Sequence, residues 1–190
     1  MIGFDCDGVV YDIAVPIAEI ASEMLGRPVV REDITKYGLT ECLDTDEDTV
    51  KELIRRCQED HWLRPELIIP GAREFLNKLG NEMGYPVVVI TARPNAQVTR
   101  EYLCQELAVD PRRVKVVTAH SYDKGQIAYQ MGLTHFVDDY FKSLNAVMDE
   151  GIHPILFDQP WNQVWPDINA RTWQLVDRVK NWEELWKYVE

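Results

Sequence analysis

Short apolar runs recur along the chain and predict five β-strands. They cover Ile2–Phe4, Pro86–Ile90, Val114–Val117, His135–Val137 and Pro154–Phe157. Each run is continuous rather than alternating, which is typical of strands covered on both faces. Stretches with helical spacing lie between them, over Ala72–Leu79, Ala96–Leu107, Gly125–Met131 and Lys142–Met148. This alternation of strand and helix predicts an α/β fold with a parallel sheet flanked by helices.

One long segment, residues 11–70, interrupts that alternation. It contains two helical patterns, Ala14–Leu25 and Thr45–Trp62, and no convincing strand, and Asp44 or Thr45 is the expected start of the second helix. A structureless loop of this length is improbable in a compact domain. We therefore predict a Rossmann-like core of residues 1–10 and 71–190, with residues 11–70 as a small helical cap inserted after the first strand.

The bulk composition narrows the class of protein and of partner. The 190 residues carry a formal net charge of −12. Such an acidic surface repels nucleic-acid backbones and anionic membranes unless a basic patch intervenes, so no stable nucleic-acid partner is expected. No signal-peptide pattern and no apolar run of about 18 residues occur, which makes the cytoplasm the default location. Nothing in the composition indicates an oligomeric state.

Polar residues stand where the predicted strands end. They are Asp5, Asp7 and Gly8 after the first strand, Thr91 and Ala92 after the second, Lys124 at the helix after the third, and Asp138 and Asp139 after the fourth. Ligands bind beyond the carboxyl ends of the strands in sheets of this kind, so these groups are expected to converge. Gly8 permits a sharp turn that can bring Asp7 into the same pocket.

The chemistry of these groups favours phosphoryl transfer. Crowded carboxylates are unfavourable without a counter-charge, and Mg²⁺ is a hard cation that prefers oxygen ligands. The Thr91 hydroxyl, free backbone N–H groups and the Lys124 ammonium suit phosphate oxygens. The set therefore predicts a nucleophile, an acid/base, a metal anchor and oxyanion donors.

At these positions the chain resembles the haloacid dehalogenase superfamily. Four motifs carry the resemblance, in order: Phe4-Asp5-Cys6-Asp7-Gly8-Val9, Val88-Val89-Ile90-Thr91, Lys124, and Asp138-Asp139. The resemblance covers nearly the whole chain, and it implies a phosphatase with a helical cap between the first two motifs. It also implies that Pro70-Gly71-Ala72 is the return from cap to core.

The resemblance implies a role for each matching residue. Asp5 attacks phosphorus and forms an aspartyl-phosphate, while Asp7 protonates the leaving alcohol and then deprotonates water. Mg²⁺ is held by the Asp5 carboxylate, the Asp7 backbone carbonyl and the Asp138 carboxylate, with Asp139 in a lesser part.

The resemblance also implies that three groups hold the substrate phosphate. They are Thr91, the Ala92 N–H and Lys124.

Within the superfamily the chain is similar to the 5′(3′)-deoxyribonucleotidase group. The similarity rests on Asp-Gly-Val-Val-Tyr-Asp after Cys6, Ile-Thr-Ala-Arg-Pro at the second motif, Asp-Lys-Gly fourteen residues before Asp138, and the closing Ile-Leu-Phe-Asp-Gln-Pro-Trp-Asn. The expected substrate is a (deoxy)ribonucleoside monophosphate. The alternatives are another small phosphate ester, a polynucleotide 3′-phosphate, a dehalogenase or mutase reaction, or a non-catalytic member.

Residues that would select the substrate are less clearly marked. Trp161 either stacks on a nucleotide base or plugs the edge of the sheet. The cap arginines Arg55, Arg56 and Arg64 either contact a phosphate or are solvated. Asp12 is expected to cap the following helix. Arg93 either forms a salt bridge near the site or faces outward, and it is assigned no role.

Overall fold

The computed structural model describes residues 1–164 and 175–189. Its sheet has six parallel strands in the order β3-β2-β1-β4-β5-β6. They are β1 Ile2–Phe4, β2 Val87–Thr91, β3 Val114–Thr118, β4 His135–Asp138, β5 His153–Phe157 and β6 Asp177–Val179. The sheet confirms the predicted α/β class. β6 was not predicted, because only Val179 of its three residues is buried and no apolar run marks it.

Seven α-helices surround the sheet among the described residues. They are α1 Ala14–Leu25, α2 Leu39–Leu43, α3 Glu47–Cys57, α4 Ala72–Asn77, α5 Ala96–Glu106, α6 Lys124–Gln130 and α7 Phe141–Asp149. Shorter helical segments lie at Arg31–Asp33, Asp60–Trp62, Pro65–Leu67, Lys78–Glu82, Pro160–Asn162 and Glu183–Tyr188; the one at Lys78–Glu82 is π-helical and the others are 3-10 helices. No helix in this part of the chain has the length and apolar character that a membrane crossing requires.

The second cap helix differs from its predicted bounds. α3 begins at Glu47 because Asp46 caps it, accepting hydrogen bonds from the amides of Asp48 and Thr49 at 2.9 Å. The helix ends at Cys57, and Asp60–Trp62 forms a separate turn. α2 was missed, since five residues are too few to show a helical period.

Apolar side chains cover both faces of the sheet. On one face Phe4, Phe75 and Trp182 pack together. On the other, Phe136 and Phe141 are wholly buried in a second cluster. Because both faces of these strands are buried, their sequences are continuous apolar runs.

Residues 11–70 have an apolar cluster of their own. Its buried members are Ala14, Ile17, Ala18, Ile20, Ala21, Val29, Ile34, Leu39, Leu43, Leu53 and Cys57, joined by Trp161 from the loop after β5. We call this set the cap cluster. The segment contains helices and turns and no strand. The division into a core of residues 1–10 and 71–190 and a cap of residues 11–70 remains a prediction.

Candidate active site

The central strand β1 leads directly into the site. Its neighbours are β2 and β4, with Gly3 in register with both Val88 and Phe136. Since all these strands are parallel, their carboxyl ends meet at one edge of the sheet, where the strand order changes direction. The sequence motifs at the ends of β1, β2 and β4 are therefore brought together.

The turn after β1 presents two carboxylates. Asp5 and Asp7 follow the last residue of β1, Phe4, and both line a cavity beyond the strand end. Beyond them Gly8 has φ +80°, which an L-residue rarely adopts. A Cβ on Gly8 would lie 2.3 Å from Asp139 Oδ2, so the turn packs directly against that carboxylate.

Lys124 joins the ends of β1 and β4. Its buried Nζ lies 2.7 Å from Asp138 Oδ2 and 2.9 Å from Asp5 Oδ1. Burial alone would lower the pKa of Lys124, but the charges of Asp138 and Asp5 outweigh it and raise the pKa above its ordinary value. The ammonium is therefore held in its charged form between the two carboxylates.

Gly125 allows Lys124 to reach this position. A Cβ on Gly125 would lie 2.0 Å from the carbonyl oxygen of Ala146 in α7. The backbones of α6 and α7 thus approach each other more closely than any side chain at residue 125 would allow. Because Lys124 is the first residue of α6, this contact sets its distance from Asp138.

Three carboxylates surround the single ammonium group. Oxygens of Asp5, Asp138 and Asp139 lie within 4.8 Å of one another, and all three residues are buried. Burial raises the pKa of Asp5 to about 7, although Lys124 opposes this effect. Burial and the charges of Asp138 and Asp5 raise the pKa of Asp139 well above its usual range. The cluster is short of positive charge, and its oxygen-only donors suit a hard divalent cation.

Arg93 was assigned no role from the sequence, yet it binds Asp7. Its Nε and Nη2 lie 3.0 Å and 2.8 Å from Asp7 Oδ1, and the residue is 1% exposed. One signal in the sequence could have found it. Arg93 lies two residues after Thr91, at the end of β2, and so at the same edge of the sheet as Asp7. The expectation that arginines are exposed hid it.

The predicted phosphate binders Thr91 and Ala92 occupy different surroundings. Thr91 is wholly buried, and its Oγ1 accepts a hydrogen bond from the Arg93 amide at 3.2 Å. Ala92 is exposed and lines the cavity above the strands, whereas Thr91 does not. The phosphate-binding roles of both remain predictions.

Trp161 connects the core to the cap. Its Nε1 donates to Asp139 Oδ2 at 2.6 Å, and its ring is 5% exposed within the cap cluster. The hydroxyl of Tyr37, a cap residue, also lowers the pKa of Asp139, as the Trp161 indole does. The indole does not plug the edge of the sheet beside β5, because β6 pairs there. It also lines the cavity, so contact with a substrate remains a prediction.

A cavity of about 260 Å³ lies over the strand ends. Asp5, Asp7 and Lys124 line its polar side. The apolar side comes mainly from the cap, through Ile13, Ile17, Ile34, Leu39 and Ile54. Tyr37 from the cap also lines the cavity. Five other polar members of the lining were not predicted, because no motif marks them: Lys36, Gln58, Ser121, Tyr140 and Ser143.

The cap arginines point to no phosphate site. Arg55 pairs with Glu52 at 2.7 Å, Arg56 with Glu23 at 2.8 Å and Arg64 with Glu19 at 2.8 Å. None of the three lines the cavity. Their partners are largely exposed, and ion pairs of this kind contribute little stability.

Asp12 was expected to cap α1, but the capping position is Ile13, and Asp12 precedes it by one residue. Its Oδ1 accepts a hydrogen bond from the Ala14 amide at 3.2 Å, and its Oδ2 pairs with Arg31 at 2.5 Å.

Comparison with known proteins places the chain in a family. Residues 1–189 match the model of the family described as "5′ nucleotidase, deoxy (Pyrimidine), cytosolic type C protein". A protein of Chlorobaculum tepidum with the printed name "Putative 5′(3′)-deoxyribonucleotidase" is 26% identical over 189 residues, covering 95% of this chain and 90% of its own length.

Solved structures agree on the fold. A haloacid dehalogenase-like hydrolase of Streptococcus pneumoniae superposes with a TM-score of 0.66 at 14% identity, covering 100% of this chain and 97% of its own. A haloacid dehalogenase superfamily hydrolase of Geobacter sulfurreducens gives a TM-score of 0.59 at 17% identity, covering 100% and 95%. The chain therefore belongs to the cytosolic type C family of 5′ deoxy (pyrimidine) nucleotidases, phosphatases built on the haloacid dehalogenase fold.

Proposed function

We propose that this chain is a Mg²⁺-dependent phosphomonoester hydrolase that acts on (deoxy)ribonucleoside monophosphates through an aspartyl-phosphate on Asp5. One observation carries the proposal: Asp5 lies against Lys124 and Asp138 on the polar side of a cavity whose other side is apolar. A phosphate ester with an apolar organic group has the same two-sided character. Membership of the nucleotidase family supports the substrate class.

The first half-reaction forms the covalent intermediate. Asp5 Oδ1 is occupied by the Cys6 amide at 2.7 Å and by Lys124, which leaves Oδ2 as the attacking oxygen. Oδ2 forms a bond to phosphorus as the bond from phosphorus to the leaving oxygen breaks. Asp7 gives its proton to that oxygen, so the alcohol leaves neutral.

The second half-reaction restores the enzyme. Asp7, now a carboxylate, takes a proton from a water molecule as that water attacks the aspartyl-phosphate. The bond between phosphorus and Asp5 breaks, inorganic phosphate is released, and Asp7 is again protonated. Thr91, the Ala92 N–H and Lys124 are proposed to hold the phosphate oxygens, and Ser121 offers a further hydroxyl beside them.

The residues present suit the magnesium ion that this mechanism needs. Asp5, Asp138 and the Asp7 backbone carbonyl would hold it, and Asp139 lies close to the first two. No hydrogen bond within the described residues uses that carbonyl oxygen. When bound, the ion supplies positive charge that offsets both the carboxylates and the substrate phosphate.

The cap supports a single nucleotide rather than a polynucleotide as substrate. The cap arginines Arg55, Arg56 and Arg64 are engaged in ion pairs, and the net charge of −12 repels a phosphate backbone. A different small phosphate ester remains the alternative. A cytoplasmic location is also proposed, and the cytosolic type in the family's description supports it.

A substrate panel tests the proposal. With Mg²⁺, we expect kcat/KM for deoxyribonucleoside monophosphates to exceed that for sugar phosphates by at least about tenfold, since the apolar wall adds about 1–3 kcal/mol of contact energy. Chelation with EDTA should abolish phosphate release, and added Mg²⁺ should restore it. Preference for sugar phosphates would overturn the nucleotide assignment, and full activity in EDTA would overturn the metal dependence.

Replacement of Trp161 tests the predicted base contact. Trp161→Ala should raise KM for a nucleoside monophosphate by about 5- to 100-fold if the indole stacks on the base. KM for acetyl phosphate, which has no base, should change little. Trp161→Phe is the matched control, because it keeps a ring and loses only the Nε1 donor to Asp139. An unchanged nucleotide KM in Trp161→Ala contradicts stacking.

A further inference from the structure

Arg93 is held rigidly in the interior of the protein. The residue is 1% exposed. Its amide donates to Thr91 Oγ1 at 3.2 Å, and its carbonyl accepts from Thr118 Oγ1 at 2.9 Å. Both backbone groups are thereby fixed to the ends of β2 and β3. The Arg93 side chain is therefore attached to a segment of backbone that is held in place at both its amide and its carbonyl.

The guanidinium group has one carboxylate partner among the described residues. Nε and Nη2 both donate to Asp7 Oδ1, at 3.0 Å and 2.8 Å. The third nitrogen, Nη1, is buried without a hydrogen-bond partner in this part of the chain. The group lies 4.9 Å from the centre of the Tyr11 ring, which supports its plane from one side. The orientation of Arg93 is therefore matched to Asp7.

Stability alone does not explain this arrangement. Burying a guanidinium group with an unsatisfied nitrogen is unfavourable, and replacing a buried ion pair by apolar groups is often neutral or stabilising. The Asp7 side chain is 21% exposed and so does not require a buried counter-charge. A role of Arg93 in positioning Asp7 explains why Arg93 is buried against it, whereas the contribution of the pair to stability does not.

Arg93 also distinguishes the two oxygens of Asp7. Both of its bonds go to Oδ1, and no described residue hydrogen-bonds to Oδ2. Asp7 lines the cavity, so Oδ2 is the oxygen available for proton exchange there. An oxygen that accepts two N–H bonds is a poor place for a proton. The proton of the acid form is thus directed to Oδ2.

We infer that Arg93 is a positioning residue that holds Asp7 by Oδ1 and assigns proton transfer to Oδ2. In the first half-reaction the bond from phosphorus to the leaving oxygen breaks, and the proton passes from Oδ2 to that oxygen. In the second, Oδ2 takes a proton from the attacking water. This inference rests on the proposed function, because it assumes that Asp7 is the acid and base.

Leaving-group dependence measures this role. An alkyl alcohol must be protonated as it leaves, whereas p-nitrophenolate leaves without a proton. We therefore compare first-turnover rates, by rapid quench with Mg²⁺, on thymidine 5′-monophosphate and on p-nitrophenyl phosphate. Glycerol phosphate replaces the nucleotide if the wild type does not turn it over. The first turnover isolates the step in which the leaving group departs.

Arg93→Met should separate the two substrates. We expect its first turnover to fall about 100-fold with the alkyl phosphate and less than about threefold with p-nitrophenyl phosphate. Arg93→Lys keeps the charge and one nitrogen that can donate to Asp7, so the alkyl rate should recover to within about tenfold of wild type. Arg100→Met is the matched control, because within residues 1–164 and 175–189 Arg100 donates only to the carbonyls of Val114 and Pro111, and it should leave both rates unchanged.

The outcomes separate the inference from the function it rests on. An equal fall with both leaving groups, or no fall with either, overturns the positioning role while the wild type remains a phosphatase. A wild type that releases phosphate from none of these substrates overturns the proposed function, and the inference with it. Melting temperatures of all variants are measured first. If Arg93→Met does not fold, Arg93→Gln, which also removes the charge, takes its place, and a ratio of rates equal to that of wild type in that variant overturns the inference.

Discussion

Replacing Asp5 with Asn should reduce phosphate release by at least about 10⁴-fold, on the scale seen when a catalytic nucleophile is removed. The amide has nearly the shape of the carboxylate but lacks the anionic oxygen that would bond to phosphorus. The measurement is steady-state phosphate release with Mg²⁺ on the best substrate of the panel. Acid quench of the wild type should also trap a phosphorylated protein, and Asp5→Asn should trap none.

The loss should not come from unfolding. Asp5 is one of three buried carboxylates around the single ammonium of Lys124, so removing its charge relieves repulsion within the cluster. We expect the melting temperature to stay at or above that of wild type. Asp149→Asn, the same substitution at an exposed residue outside the cavity, should leave activity unchanged. Activity of Asp5→Asn near that of wild type would refute the central proposal.

Replacing Gly125 with Ala should lower the free energy of unfolding by more than about 3 kcal/mol. The added Cβ would lie 2.0 Å from the Ala146 carbonyl oxygen and 2.5 Å from its carbon. Both are backbone atoms, so the contact is relieved only if α6 moves away from α7. That movement also draws Lys124 away from Asp5 and Asp138, and activity should fall as well.

Urea unfolding followed by circular dichroism measures the effect. Helix propensity alone would make Gly125→Ala about 1 kcal/mol more stable, so any loss reports the steric contact. Gly38→Ala provides the control, since Gly38 has φ −72° and a Cβ there would meet nothing within 4 Å. The control should change stability by less than about 1 kcal/mol. Stability of Gly125→Ala within that same margin would show that the helices have room for a methyl group.

Much of the core could be predicted because its signals are local. A strand buried on both faces must be apolar throughout, so the five runs were visible as runs. The motif residues lie at strand ends, and parallel strands bring those ends to one edge whatever the loops between them do. The position of Asp5 beside Lys124 and Asp138 follows from this rule together with the order of the strands.

The misses have a common physical cause. β6 forms by pairing with the edge strand β5, and only one of its three residues is buried, so its sequence shows no apolar run. The contact of Arg93 with Asp7 joins residues 86 positions apart, and that of Trp161 with Asp139 joins residues 22 apart. Such contacts depend on how loops return to the sheet, which no local pattern records.

The sequence by itself determined the α/β class, the helical segment after β1 and the carboxylates and lysine at the strand ends. Hydrophobic burial and the polarity of parallel strands act on every such chain in the same way. Only the tertiary structure decided that Arg93 holds Asp7, that Trp161 joins Asp139 to the cap, and that Gly125 brings Lys124 to its partners. These contacts are set by the packing of distant elements, and their distances exist only once the chain has folded.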